Sequence, residues 1–334
     1  MRLRRVCAQL ITLLVLAVVA SAQSRPDPAD DLLRKAREFA EAGKFEEALK
    51  AYKDANKRSN GNCSACYLGM AMTAAKIGDA KAALESSDKA LKVSTDDPSR
   101  ALGHNMRGHA LLALAAEQPK KLSEAESAFR QAVQLQPANA SYHVNLGVAL
   151  AKLMRDEDAV AEFKRALQLA PQGDAAEMAQ SFVQNPRRAR EPVAPDFQIE
   201  SVNGGKIALH DFAGKVVVLD FWATWCAPCR ASVPDIKDLI KKYGNERLVV
   251  ISISWDQDEK AWRDFIAKHE MGWTHARDPE SDLSHKLGVR AVPTYLVIDG
   301  DGFIKERIVG TNAQQSLAYR LREKLQSMPQ LAKK

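Results

Sequence analysis

The sequence lacks an apolar run of about 20 residues, which is the length that a helix needs to cross a membrane. It also lacks a strong charge of either sign, because 48 lysines and arginines are offset by 42 aspartates and glutamates, which leaves a formal net charge of +6. A charge this small does not indicate binding to nucleic acid or to a strongly anionic surface. Neither of the two Cys-x-x-Cys pairs is followed by histidine, so covalent haem attachment is excluded.

The amino terminus has the features of an export signal. Three arginines precede an apolar stretch over residues 10–20, and Ala20-Ser21-Ala22 offers the small-x-small pattern of a signal-peptidase site. We therefore predict a signal peptide over residues 1–22 and an exported, periplasmic protein. The alternative is an uncleaved anchor over residues 6–20, which would keep the protein associated with the membrane. No Leu-x-x-Cys lipobox precedes Cys7, and cleavage would remove this cysteine and lower the net charge to +3.

Composition divides the rest of the chain into two halves, as its length of 334 residues also suggests. Residues 29–171 are rich in alanine, leucine and charged helix formers, whereas β-branched clusters alternate with helical stretches from Asp196 onward. Between them, residues 172–192 hold prolines and arginines and little apolar material, which predicts a linker. We therefore expect an all-α domain over 29–171 and an α/β domain over 193–328.

A pattern of small and large residues recurs about four times in the first half. In its clearest copy, small side chains would let two antiparallel helices approach closely while two large ones fill the gap; these residues are Gly147, Ala159, Ala166, Leu150 and Phe163. The spacing closely matches the tetratricopeptide (TPR) period, whose helix pairs stack into a solenoid with a continuous core. The alternative is an ordinary helical bundle. A TPR solenoid carries no chemistry of its own, and its concave face is expected to bind a peptide or a partner protein.

The second half predicts a β-α-β unit followed by a hairpin and a closing helix. Val216 to Trp222 and Leu248 to Ser254 are apolar runs typical of strands that are buried on both faces of a sheet. The segment between them has helical spacing from Ala227 to Tyr243. Further on, Gly300-Asp301-Gly302 separates two strand-like runs, which indicates the hairpin, and we expect the last helix over 313–326.

A Cys-x-x-Cys pair, Cys226 and Cys229, follows the first of these strands, which is the sequence form of a dithiol redox site. Cys226 would lie at the amino end of the next helix, where the helix dipole and free N–H groups stabilise a thiolate. We therefore predict that Cys226 is the exposed nucleophile and that the deeper Cys229 is the resolving thiol. Pro228 should stiffen the loop. Trp225 is expected to pack beside the sulfurs and shield them from water.

Asp220 lies in the middle of the apolar strand, where a carboxylate is expensive to bury. One interpretation is that it faces a polar edge or pairs with a cation. The other is that it is a buried acid of raised pKa, which takes and returns the proton of Cys229. We favour the second interpretation and count Asp220 among the candidate catalytic residues.

Val292-Pro293-Thr294 supplies the other half of the predicted site. If the Val292–Pro293 bond is cis, the loop turns sharply against the Cys-x-x-Cys pair. The Val292 backbone would then be free to pair with a bound peptide. Pro293 is therefore a further candidate site residue.

Cys63 and Cys66 form a second Cys-x-x-Cys pair, at the loop that enters the second helix pair. A local disulfide at a helix start and a pair of free, partly buried cysteines are the main alternatives. A zinc site with His104 and His109 is a third. Nothing in the sequence places this pair close to the other one.

The stretch over residues 220–229 resembles the active site of the thioredoxin superfamily. Ser232-Val233-Pro234 and the lead-in over 194–197 are similar to the extracytoplasmic TlpA/ResA-type thiol-disulfide oxidoreductases, and this resemblance covers about residues 193–328. It implies a thioredoxin fold with a central mixed sheet flanked by helices. The resemblance also implies that Cys226 and Cys229 are redox-active, that Pro293 is cis and that residues 256–288 form an insertion.

Two positions depart from this family. Many members of the cytochrome-maturation kind have a glutamate where this chain has Ser232, and many lack an acid where it has Asp220. Cytochrome c assembly is therefore not the expected substrate class.

Together these features predict an exported thiol-disulfide oxidoreductase that reduces substrate protein disulfides through Cys226 and Cys229. Its expected partners are those substrates, a soluble or membrane-bound thiol electron donor, and a protein or peptide on the concave face of the repeats. No cofactor, metal or nucleic acid is expected. One alternative is a TPR scaffold with a catalytically minor thioredoxin module. A peroxiredoxin-type enzyme is disfavoured, because Val218 and Thr224 do not fit its Pro-x-x-x-Thr-x-x-Cys arrangement.

Overall fold

The structure is a computed structural model, which describes residues 28–244, 246–310, 317–328 and 331. The predicted signal peptide over residues 1–22 and the alternative anchor over 6–20 lie outside the described residues. The chain divides after Arg190 into two compact units. Within the described ranges, no helix combines the length and the apolar character that crossing a membrane requires.

The first unit, as far as it is described, consists of helices joined by short loops. They are α1 (Pro28–Glu41), α2 (Phe45–Arg58), α3 (Ser64–Ile77), α4 (Ala80–Val93), α5 (Asp97–Leu114), α6 (Lys121–Leu135), α7 (Ala140–Lys152), α8 (Asp156–Leu169), α9 (Asp174–Gln184) and a 3-10 helix (Pro186–Ala189). Each α-helix packs on its neighbour in sequence, and the first helices of successive pairs also touch. This is the predicted TPR solenoid of stacked helix pairs. One apolar cluster runs through α5 to α9, and another joins α1, α2 and α3.

The glycines of the repeat lie where helices touch. A Cβ atom added to Gly147 would lie 2.5 Å from the ring of Phe163, and one added to Gly108 would lie 2.5 Å from the ring of Phe129. Interiors are close-packed, so separations this short leave no room for a side chain. The predicted close approach of the helices at Gly147 and Phe163 is therefore confirmed.

The expected linker over 172–192 is mostly helical, which corrects the prediction. On α9, Ala176, Ala179 and Phe182 are buried, and the Phe182 ring lies 5.0 Å from the ring of Phe163 on α8. α9 therefore covers the apolar face that the last helix pair would otherwise expose, as terminal caps of repeat arrays do. The prolines and arginines that follow α9 suggested a linker, although six of the eleven residues of this helix are apolar.

The second unit is built on two short strands and a larger sheet. The strands are β1 (Gln198–Glu200), β2 (Lys206–Ala208), β3 (Val216–Trp222), β4 (Leu248–Ser254), β5 (Thr274–Arg277), β6 (Thr294–Ile298) and β7 (Ile304–Val309). β1 and β2 pair with each other, and the remaining five form a mixed sheet in the order β5-β4-β3-β6-β7. In the centre, β3 runs parallel to β4 and antiparallel to β6, and all its residues are buried.

Helices cover this sheet on both faces, where alternate residues of β3 join two different apolar clusters. The helices are α10 (Ala227–Ala231), α11 (Val233–Tyr243), α12 (Glu259–Lys268), α13 (Asp282–Lys286) and α14 (Leu317–Gln326). A mixed sheet flanked by helices confirms the predicted thioredoxin-like α/β fold. The insertion expected over 256–288 carries α12, β5 and α13, so it adds an edge strand to the sheet.

The helix expected from Ala227 to Tyr243 is interrupted at Ser232, where α10 ends and α11 begins. Pro234 lies in the first turn of α11. Proline has no N–H to donate to the preceding turn and its ring collides with that turn's carbonyl, so a continuous helix is broken here.

Candidate active site

The candidate site begins where β3 ends. Cys226 is the N-cap residue of α10, and its Sγ atom accepts a hydrogen bond from the backbone N–H of Cys229, with 3.3 Å between the two atoms. The two cysteines form a disulfide. The pair is therefore placed as the sequence predicts, with Cys226 at the amino end of a helix. N–H groups of a first helical turn are the donors that stabilise a thiolate.

The sulfurs are less accessible than the sequence suggests. Cys226 is 6% exposed and Cys229 is 2% exposed, so the expected exposed nucleophile presents only a small part of its surface. The expectation that Trp225 shields the sulfurs is wrong, because Trp225 is 64% exposed on the loop between β3 and α10. Apolar side chains of neighbouring elements cover the pair instead, and they are Trp222, Ala223, Val233, Trp262 and Met271.

A carboxylate that sequence analysis missed holds the loop before Cys226. The backbone N–H and the Oγ1 hydroxyl of Thr224 both donate to Asp256, at 2.9 and 2.6 Å. Ser254 Oγ donates to the same carboxylate at 2.6 Å. Asp256 lies two residues after the end of β4, and β3 and β4 are parallel neighbours, so their carboxyl ends meet at one edge of the sheet. That register is the signal that could have identified it.

Asp220 lies in the central strand and is 2% exposed, which contradicts the interpretation that it faces a polar edge. Its neighbours across the sheet are Ser252 on β4 and Tyr295 on β6. Ser252 Oγ donates to Asp220 Oδ2 at 2.7 Å, and Trp273 Nε1 donates to Ser252 Oγ at 2.8 Å. Among the described residues, no cationic side chain interacts with Asp220. The carboxyl is therefore held by neutral donors only.

Burial raises the pKa of Asp220 from its ordinary value of 3.8 to about 7, because the interior disfavours the charged form. The Ser252 hydrogen bond and the neighbouring Tyr295 hydroxyl oppose this rise only in part. Burial, and then the Asp220 charge, raises the pKa of Tyr295 well above its ordinary value, so its hydroxyl stays protonated. In the described part of the chain, neither Asp220 Oδ1 nor the Tyr295 hydroxyl has a hydrogen-bond partner. Asp220 can therefore hold a proton or release it close to neutral pH.

Ser232 joins this buried group to the cysteines. Its backbone N–H donates to the carbonyl of Cys229 and its Oγ donates to the carbonyl of Pro228, each at 3.1 Å. The same hydroxyl lies beside the Tyr295 ring hydroxyl, whose pKa it lowers slightly against the effect of burial. The break between α10 and α11 thus places a small polar side chain between Tyr295 and the turn that carries Cys229. In the sequence, Ser232 stands out only through the family resemblance and not as a site residue.

The Val292–Pro293 peptide bond is cis, as the sequence predicts. Val292 packs against the apolar cluster that contains both Cys226 and Cys229, so this loop adjoins the disulfide. The loop is fixed by two hydrogen bonds, from Thr294 Oγ1 to the Ala291 carbonyl at 2.7 Å and from the Gly310 N–H to the Pro293 carbonyl at 2.8 Å. Among the described residues, the backbone of Val292 makes no hydrogen bond.

Cys63 and Cys66 form a local disulfide at the start of α3, which is one of the alternatives that the sequence leaves open. His109, named in the zinc alternative, is buried, and burial lowers its pKa to about 4. The described residues contain no group of three or more side chains able to hold a metal ion.

Comparison with known proteins assigns both units. Residues 191–307 match the AhpC/TSA family, and residues 33–101 and 109–174 match the tetratricopeptide repeat. The thiol-disulfide oxidoreductase ResA of Bacillus thuringiensis is 32% identical over 130 residues, which are 39% of this chain and 75% of ResA. The thioredoxin-like protein YneN of Bacillus subtilis is 32% identical over 131 residues, which are 38% of this chain and 76% of YneN.

Among solved structures, a thiol-disulfide oxidoreductase from Bacteroides fragilis is 28% identical, with a TM-score of 0.35 over 39% of this chain and 98% of that one. The identity to ResA extends over three quarters of that relative. Residues 191–307, which match the AhpC/TSA family, contain the Cys226–Cys229 disulfide. The chain therefore belongs to the ResA-type thiol-disulfide oxidoreductases of thioredoxin-like fold, with tetratricopeptide repeats ahead of the oxidoreductase domain.

Proposed function

We propose that this protein is an exported reductase of protein disulfides, in which Cys226 attacks the substrate and Cys229 resolves the mixed disulfide. The observation that carries the proposal is the hydrogen bond from the Cys229 N–H to Cys226 Sγ at the start of α10. Export is supported by the signal-like sequence over residues 1–22, and periplasmic or membrane-associated locations both fit it.

In the first step, the Cys226 thiolate attacks one sulfur of a substrate disulfide. The substrate S–S bond breaks, a mixed disulfide forms at Cys226, and the second substrate sulfur leaves as a thiolate that takes up a proton. The first-turn N–H groups of α10 favour the thiolate over the thiol, so Cys226 is ionised before the substrate arrives.

In the second step, Cys229 loses its proton and attacks Cys226 Sγ. The mixed disulfide breaks, the first substrate sulfur is released as a thiol, and the Cys226–Cys229 disulfide remains. Two electrons have then passed from the protein dithiol to the substrate disulfide. A thiol electron donor returns the pair to the dithiol form by the same exchange in reverse.

We propose that Asp220 accepts the proton of Cys229 and later returns it. A general base works best when its pKa is close to the operating pH, and the pKa of Asp220 is raised to about 7. Ser252 holds the orientation of the carboxyl through Oδ2, and Oδ1 accepts no hydrogen bond from the described residues. That free oxygen is the atom that would take the proton, through Ser232 and Tyr295 or an intervening water.

The substrate would bind over Trp225 and the Val292–Pro293 loop. Trp225 presents a large, mostly exposed aromatic surface immediately before Cys226. The N–H and the carbonyl of Val292 make no backbone hydrogen bond within the described part of the chain, so an extended substrate segment can pair with them as an added strand would. Substrate contact is therefore the role we assign to Trp225 in place of shielding.

The TPR unit would recruit a partner protein or peptide to its concave face, since such solenoids bind through extended concave surfaces. The low exposure of Cys226 favours one second candidate, a TPR scaffold whose thioredoxin module turns over slowly. A peroxiredoxin-type reaction finds no support, because Thr224 Oγ1 is engaged by Asp256 and Val218 is a core residue.

The two-step scheme predicts different fates for the two cysteine variants. Reduced Cys229→Ser should form a stable mixed disulfide with insulin through Cys226, because attack can occur but resolution cannot, and catalysed insulin reduction should fall at least about tenfold. Mass spectrometry of the trapped peptide identifies the sulfur involved. Cys226→Ser is the matched control, and it should form no adduct because Cys229 is 2% exposed. Insulin reduction by Cys226→Ser at the wild-type rate would support the scaffold function instead.

The proposed substrate surface predicts that Trp225→Ala raises KM for a fluorescent disulfide peptide by about three- to tenfold while kcat changes less than about twofold, because uniform binding is lost and the chemistry is not. Ile77→Ala, at an exposed apolar residue of the TPR unit, is the control and should change neither constant. A fall in kcat without a change in KM would show that Trp225 acts on the sulfurs and not on the substrate.

The raised pKa of Asp220 predicts a characteristic dependence of stability on pH. Between the unfolded pKa of 3.8 and the folded pKa of about 7, Asp220 keeps its proton in the folded state but has lost it in the unfolded state. The free energy of unfolding therefore falls as the pH rises through this window. Asp220→Asn removes that effect. The variant should therefore gain stability relative to wild type, by up to about 4 kcal/mol, between about pH 5 and pH 8.

Urea unfolding of the oxidised proteins, followed by tryptophan fluorescence, measures this difference. All five tryptophans lie in the second unit, so the signal reports that unit alone. Asp264→Asn, at an exposed carboxylate of α12, is the control and should shift stability little and equally at each pH. A constant difference between Asp220→Asn and wild type across the window would show that the carboxyl does not titrate there.

A further inference from the structure

We infer that Cys63 and Cys66 form a second exchangeable disulfide, which accepts electrons from a dithiol protein independently of the Cys226–Cys229 pair. The AhpC/TSA match over residues 191–307 does not include this part of the chain, which matches the tetratricopeptide repeat instead. The inference therefore goes beyond the proposed function.

The two cysteine pairs have the same local construction. Cys63 is the N-cap residue of α3, and its Sγ atom accepts a hydrogen bond from the backbone N–H of Cys66 at 3.0 Å. Cys226 is the N-cap residue of α10 and accepts from the Cys229 N–H at 3.3 Å. Each pair therefore has one sulfur over the first-turn N–H groups of a helix, in the arrangement that stabilises a thiolate after reduction.

The surroundings favour exchange at Cys63. α3 has 14 residues, and its first turn contains no acidic side chain whose charge would oppose a thiolate. Cys63 is partly exposed and Cys66 has no exposed surface, so an incoming thiolate can reach only the first of the two sulfurs. Cys63 is also held in place, since its N–H donates to Asn56 Oδ1 at 3.3 Å. Cys63 is therefore the accessible sulfur of the pair, and Cys66 is the buried one.

A purely stabilising role in the fold explains the Cys63–Cys66 disulfide poorly. The disulfide joins residues that are three apart in one helical turn, so it links no separate elements. A crosslink removes the least entropy from the unfolded chain when the loop it closes is short, so the gain in stability here is small. Capping does not require it either. Asp79, Asp96 and Asn139 cap other helices of the same unit with ordinary side-chain hydrogen bonds.

The exchange balances as a thiol-disulfide reaction. A thiolate of the donor dithiol attacks Cys63 Sγ, the Cys63–Cys66 bond breaks, and Cys66 leaves as a thiolate that takes a proton. The second donor thiol then loses its proton and attacks the donor sulfur of the mixed disulfide. Cys63 is released as a thiolate, the donor becomes a disulfide, and two electrons have passed to the TPR unit.

Time-resolved reduction of the folded protein tests this directly. Wild type and the Cys226→Ser/Cys229→Ser variant are incubated with dithiothreitol in native buffer, sampled, alkylated and mapped by peptide mass. Cys63 and Cys66 should become labelled in both proteins while circular dichroism shows intact helices, and at rates that agree within about threefold. Failure to label them until the helices unfold would overturn the inference and identify a structural disulfide.

A second measurement on the reduced protein needs no variant. In a brief pulse of iodoacetamide at neutral pH, Cys63 should be labelled at least about tenfold faster than Cys66, and faster than the same cysteine in denaturant. Equal labelling of Cys63 and Cys66, or slower labelling of Cys63 in the folded protein than in denaturant, would show that the helix does not stabilise a Cys63 thiolate and would contradict the inference. Labelling of Cys226 in the same sample tests the proposed function separately. The inference about Cys63 and the proposed role of Cys226 can therefore be refuted independently.

Discussion

The hydrogen bond from the Cys229 N–H to Cys226 Sγ is the contact on which the site depends. It exists because a short loop after β3 leads into a helix whose N-cap residue is a cysteine. An N-cap side chain normally contributes to helix stability, but here the acceptor is a sulfur that can also carry charge. The same contact that starts the helix therefore sets the reactivity that we propose for Cys226.

Around this contact, the fold controls access more tightly than the motif alone indicates. The Asp256 carboxylate fixes the loop before Cys226 by holding Thr224, while Trp222, Trp262 and Met271 enclose the pair in apolar surface. Val292 closes one side of that enclosure. Trp225, immediately before Cys226, is mostly exposed.

Much of the fold is predictable from sequence because its signals are periodic. The TPR helices follow from repeated contacts such as Gly147 with Phe163, and the central strand follows from a continuous apolar run. The cysteine pair and the cis Pro293 were predictable from a motif and a family resemblance. Features that depend on a single contact were not predictable from the sequence. The capping helix α9 lies in a segment whose prolines and arginines suggest a linker, and the exposure of Trp225 depends on which way one loop side chain points.

The surroundings of Asp220 are the clearest example of what sequence does not reveal. Its burial was predictable, but its surroundings were not: Ser252 on β4 and Tyr295 on β6 are fixed by the strand register, and Trp273 comes from the loop before β5. Only the assembled sheet shows that neutral donors, and no cation among the described residues, surround the carboxyl. The raised pKa follows from that arrangement and not from the residue itself.

The rate of alkylation of Cys226 in the freshly reduced protein, measured against pH and resolved by peptide mass, tests the central claim most directly. A thiolate held at the amino end of α10 should reach half its maximal rate well below the pKa of about 8.5 of a free cysteine. A profile for Cys226 that coincides with that of the same peptide in denaturant would contradict the claim.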